Sequence, residues 1–91
     1  MSEGYNGWKN YETWLVKLHI TNDQGWDELI REMVEDGNFD YPHELGDYIK
    51  EQIEEMVDME EINNPLLNDL INAAISEVDF REIAEHYIDE E

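Results

Sequence analysis

Residues 41–61 read YPHELGDYIKEQIEEMVDMEE, and the spacing of their side chains decides the fold class. At 3.6 residues per turn, Leu45, Tyr48, Ile49, Ile53, Met56 and Val57 fall on one stripe, and Glu44, Asp47, Glu51, Glu54, Glu55 and Asp58 fall opposite it. An apolar stripe of that width requires a core to cover it. The acidic stripe would be the ordinary solvated back of a helix if bases alternated with acids at four-residue spacing, but only Lys50 interrupts it.

Working outward, the same period recurs on both sides. Residues 1–9 form an extended lead-in, with Tyr5 and Trp8 placed to pack back on the body. Asn10 is a suitable cap for a first helix, with Glu12 in its first turn and Tyr11, Trp14, Leu15 and Leu18 as its inward stripe. The alternation Trp14, Val16, Leu18, Ile20 also fits a strand, but the chain offers no second strand to satisfy its backbone. Thr21-Asn22-Asp23 introduces a second helix with Trp26, Leu29, Ile30, Met33 and Val34 inward, ending at Gly37. Asp40 and Pro42 start the third, in which Gly46 weakens the helix by ~1 kcal/mol against Ala and so implies a close contact. Asn64 and Pro65 open a fourth, carrying Leu66, Leu67, Leu70, Ile71, Ala74, Ile75 and Val78. Being the least charged, helix four is expected at the centre. Asp79 with Glu82 resembles a capping box for a fifth, lined by Phe80, Ile83, Ala84, Tyr87 and Ile88 before the acidic end at 89–91. The expectation is an all-α fold, a compact bundle of about five short helices in one domain spanning 1–91.

Composition bounds the function. A chain of 91 residues with 41% hydrophobic residues can bury one core, which excludes an acidic disordered tail. Without cysteine it has no disulfide, thiolate or sulfur metal site. The start lacks the pattern of a signal peptide and no stretch is long and apolar enough to span a membrane, so a cytoplasmic protein is expected. Asp and Glu number 25 against five Lys and Arg, a net charge of −20. That repels nucleic acid and anionic membranes, so neither is expected as a direct partner. Solubility needs a magnitude of only ~2–8 in a small domain, and nine Ile against three Ala is not the composition of a halophile's solvated surface. What remains is a field that steers the chain onto something basic.

Catalytic patterns are absent from the sequence. His19, His43 and His86 sit on separate predicted elements without metal-ligand spacing. Asp36, Asn38 and Asp40 open like a calcium loop, but Tyr41 stands where glycine is needed and Asp47 where glutamate is needed. There is no phosphate loop and no nucleophile elbow. No enzyme activity, cofactor or metal is expected. Trp14 and Trp26, at helical spacing, read as core, whereas Trp8 and Tyr11 could present an aromatic surface to a partner.

The segment GWKNYETW at residues 7–14, followed by Asn22-Asp23 and Gly25, resembles the opening of a family of small uncharacterised proteins found in phages, plasmids and some bacteria and archaea. The run LLNDLINAAISEVDFREIAEHYI at residues 66–88 resembles the same family's closing part. The resemblance brings no assigned catalytic or binding residue. It implies a mobile element in a prokaryotic host, a setting in which small, helical, very acidic proteins act against host defence or host nucleic-acid machinery.

Geometry accommodates that implication. Duplex DNA carries one charge per ~1.7 Å, so twenty charges correspond to about 34 Å of duplex, close to the ~30 Å diameter of a domain this size. A row of carboxylates at three- or four-residue steps advances ~5 Å each, against ~3.4 Å per phosphate on one strand, so helices two and three together are expected to supply the charge. The leading expectation is a DNA-mimicking inhibitor in which Glu28, Glu32, Glu35, Glu44, Asp47, Glu51, Glu54, Glu55 and Asp58 stand in for phosphates. They would occupy the basic groove of a nucleic-acid-binding host enzyme of restriction or CRISPR type. The alternative is an acidic adaptor or assembly protein that binds through Trp8 and Tyr11. Either could be a homodimer.

Overall fold

Five helices follow one another in the computed structural model, which describes residues 7–88: α1 (Tyr11–Asn22), α2 (Gln24–Glu35), α3 (Pro42–Met59), α4 (Pro65–Glu77) and α5 (Phe80–Ile88). No strand occurs among the described residues, and the fold is the all-α bundle the periodicity implies. Tyr5 and the acidic end at 89–91 lie outside the described residues.

Each boundary has a local cause. Asn10, with extended backbone, accepts the Thr13 N–H at 2.8 Å and opens α1. Asp23 closes that helix, donating its N–H to the His19 and Ile20 carbonyls, and opens α2 by accepting the Trp26 N–H at 3.2 Å. Gly37, at φ 79°, lets the Asn38 N–H reach back to the Met33 carbonyl and its own N–H to Val34, which satisfies the last carbonyls of α2. Pro42 moves the cap of α3 to Tyr41, one residue past the expected Asp40, and no side chain caps that helix. The Asp40 N–H instead donates to Glu44 Oε1 at 2.9 Å. Asn64 caps α4 as expected, accepting from Leu66 and Leu67.

One apolar cluster collects Trp8, Ile20, Ile30, Leu45, Ile49, Phe80, Ile83, Ala84 and Tyr87. Four of these nine come from α5, which packs along α3 and touches α1 and α2. The centre is therefore α5. The expectation for α4 is overturned: it has no buried residue, and Leu66, Leu67 and Leu70 are 64%, 47% and 56% exposed. Low charge had suggested burial, but the tight α3–α5 contact leaves α4 against the edge of the body, mainly on α1.

That contact depends on Gly46. A Cβ there would lie 3.0 Å from the Phe80 carbonyl oxygen and 3.2 Å from the Arg81 nitrogen, tighter than ordinary contact, so any side chain would push the two backbones apart by a few tenths of an ångström.

In α1 the fully buried residues are Thr13 and Ile20, whereas Trp14, Leu15 and Leu18 are half-buried and Tyr11 is exposed. The rotation follows from hydrogen bonds rather than apolar pattern. Thr13 Oγ1 donates to Asn10 Oδ1 at 2.6 Å and accepts the Asp79 N–H at 2.8 Å. Asn10 Nδ2 donates to the Glu77 carbonyl, and the Lys9 N–H to Glu82 Oε1. The start of α1 is thereby fastened to the α4–α5 junction. Asp79 does accept the Glu82 N–H as a cap should, but the reciprocal half of the box is taken by Lys9 and Thr13.

Candidate functional site: the acidic face of the third helix

Burying Leu45, Gly46 and Ile49 on one side of α3 fixes what the other side presents. Glu44, Asp47, Glu51, Glu54, Glu55 and Asp58 are all exposed. From Glu44 to Asp58 the helix climbs about 21 Å, a length over which one DNA strand carries about six phosphates. Because Glu54 and Glu55 are adjacent, the row supplies six carboxylates over that climb, an average step of ~4 Å rather than the ~5 Å of regular spacing.

No ion pair among the described residues neutralises the row. The ion pairs among the described residues join Lys9 to Asp79 at 4.0 Å, Arg31 to Asp27 at 3.0 Å and Arg81 to Glu85 at 3.3 Å, and none involves α3. The charge is also unevenly placed along the chain. Residues 23–61 hold fifteen acidic and two basic residues, a net −13, while α1 and α4 together carry −2. The molecule measures 42 × 35 × 22 Å, so the ~34 Å of duplex equivalent to its charge fits along its longest axis.

The second row is not where the sequence suggested. Glu28, Glu32 and Glu35 are exposed on α2, with Glu28 accepting from Gln24 at 3.0 Å, but α2 and α3 do not pack side by side. α5 lies against both, and splits the nine carboxylates into two separate rows. The reason is again Gly46, which brings α5 onto α3 where α2 was expected.

Trp8 and Tyr11 do not form a shared aromatic surface. Trp8 is only 8% exposed, with its ring 4.1 Å from that of His86 and the Lys17 ammonium 5.3 Å from its centroid. Tyr11 is exposed and packs against Trp14 at 5.7 Å. Of the two expectations for Trp8, packing back on the body is the one the structure shows, and it joins the core.

A small cavity lined by Lys17, Arg31, His86 and Tyr87 has no counterpart in the sequence pattern. At about 20 Å³ it has room for one water. Beside it, Asp27 accepts from Tyr87 Oη at 2.6 Å and from Arg31 Nε at 3.0 Å. Burial alone would raise the Asp27 carboxyl, but these two hydrogen bonds and the charges of Arg31 and Lys17 outweigh it and hold the group below the ordinary carboxylate value. This is an internal support between α2 and α5. No cluster of potential metal ligands occurs among the described residues, and none of their helices is long and apolar enough to cross a membrane.

No curated protein and no solved structure matches the chain. Its two recognisable ends, the Asn10–Thr13 clasp and the α4–α5 segment it holds, are parts of one similarity that runs almost the whole length: residues 1–90 match the model of a family of unknown function, DUF7249, and the chain belongs to that family.

Proposed function

We propose that this protein is a DNA-mimicking inhibitor, encoded by a mobile element, that blocks the basic nucleic-acid groove of a host defence enzyme. The observation that carries this is the α3 row: six exposed carboxylates at near-phosphate spacing, none in an ion pair among the described residues. An exposed helix gains from basic residues four positions from its acids, and α3 gives up nearly all of that gain. A preorganised anionic row on a packed helix presents its charge to a cationic groove at little entropic cost. The α2 row adds to the long-range field that attracts such a partner, while the α3 row makes the contact. The adaptor alternative loses support, since Trp8 is in the core.

The test reverses the row without touching the core. Replacing Glu51, Glu54, Glu55 and Asp58 together by Lys should leave the helical spectrum unchanged, because all four are exposed. Wild-type protein is used to capture nucleic-acid enzymes from host lysate at low and high salt, and duplex DNA is then added as competitor. The expected result is a captured enzyme released by salt and by DNA, with affinity for the lysine variant lower by orders of magnitude. A folded variant that binds and inhibits as well as wild type would overturn the proposal.

A further inference from the structure

The leucines that α4 leaves in solvent form a ridge with its own chemistry. On a helical period Leu66, Leu67, Leu70, Ala73 and Ala74 share one side, while Asp69, Asn72 and Ser76 share a flank. All of these are exposed. Only Asn68, Ile71 and Ile75 turn inward, and each is half-buried. A contiguous apolar ridge on a chain of net charge −20 marks an interaction surface.

We infer that this ridge pairs with α4 of a second copy, antiparallel about a two-fold axis near Leu70. Self-complementarity follows from the order of side chains. With the axis at Leu70, Leu66 and Leu67 of one copy meet Ala74 and Ala73 of the other, large against small, so the helices can approach closely. Charge distribution favours the same helix. α1 and α4 carry −2 between them against −13 in residues 23–61, and although Asp58 and Glu61 lie beside Asn68 and Asn72, a like-charged copy meets less repulsion on α4 than on the acidic row of α3.

Area sets the strength. A 13-residue helix is about 20 Å long and shows roughly 400 Å² on its outward half, about half of the ~800 Å² a standard interface takes from each partner. The dimer is therefore weak and populated at high concentration. Salt strengthens it by screening the charge of the two copies, the opposite of its effect on a basic partner. The dimer stands independently of the inhibitor proposal, and it would join two α3 rows in one particle.

The experiment is sedimentation equilibrium of the full chain from about 10 µM to about 1 mM, in about 0.05 M and about 0.5 M NaCl, a range suited to weak contacts. The average mass should rise from 10.9 kDa toward twice that value, with a Kd at least about tenfold lower at the higher salt. L70E and the double variant L66E/L70E should stay monomeric with unchanged circular dichroism, since the replaced side chains are exposed. L29E, at an exposed leucine on α2, should dimerise like wild type. A wild-type chain that remains monomeric at about 1 mM in about 0.5 M NaCl would overturn the inference, as would a dimer that survives L66E/L70E or weakens with salt. A monomer whose L70E variant loses a captured partner would give the ridge to that partner instead.

Discussion

Thr13 is fully buried yet polar, and its hydroxyl is both donor and acceptor: it gives a proton to Asn10 and takes the Asp79 N–H at 2.8 Å. Valine has the same shape and neither function. Thr13→Val should therefore cost about 1–3 kcal/mol in urea unfolding, because the Asp79 N–H is left without its partner. Asp27 makes a pH-dependent counterpart. Its folded-state carboxyl titrates below the ordinary value of 3.8, so the stability it contributes is complete above that pH and is lost as pH falls through the depressed value. Between pH 5 and pH 3, wild type should lose more stability than Asp27→Asn, measured by urea midpoints at each pH. Parallel loss in the two proteins would show that Tyr87 and Arg31 do not favour the charged form.

At the scale of elements, the α3–α5 contact governs the bundle. Gly46→Ala gains about 1 kcal/mol of helix propensity in isolation, but the added carbon meets three backbone atoms of Phe80 and Arg81 that have no rotamer to change. Net destabilisation of about 1–3 kcal/mol is expected from equilibrium unfolding. Helices four and five give a paired comparison: Ile83→Ala should cost about 2–5 kcal/mol, whereas Leu70→Ala should cost under about 1 kcal/mol in dilute monomer. Periodicity made the inward faces of α5 and of the first half of α3 legible, since Leu45, Ile49, Ile83 and Tyr87 repeat at helical spacing and are buried, whereas Met56, on the same expected stripe of α3, is 50% exposed. The same periodicity misled for α4, because an apolar ridge looks identical whether its own chain or another molecule covers it. Thr13 was not legible at all, since its burial comes from a hydrogen bond to a residue 66 positions away. The carboxylates of α3 could be read from sequence because exposure opposite an apolar stripe is a local property. Their separation from those of α2 could not, because it depends on which helix Gly46 admits.

For the molecule as a whole, a net charge of −20 within a radius of gyration of 13.7 Å opposes the compact state. Each ion pair among the described residues has at least one well-exposed partner and is weak, so screening should dominate, and the melting temperature should rise by several degrees from low salt to about 0.5 M NaCl. A flat response in thermal melts would mean that the charges are too widely spaced to matter. The clasp between residues 9–13 and residues 77–82 has a further consequence, for the order of events in folding. It joins segments about 66 residues apart, and α5, the last of the described helices to be made, supplies four of the nine residues of the core cluster. Loop closure over so many residues is rewarded only when both partners exist. A ribosome adding about 5–20 residues per second therefore extrudes α1 to α4 with no centre to pack on, and the bundle closes only after Phe80 to Tyr87 have emerged. Until then, mutual repulsion among the carboxylates of α2 and α3 should oppose contact between the exposed apolar stripes of neighbouring nascent chains.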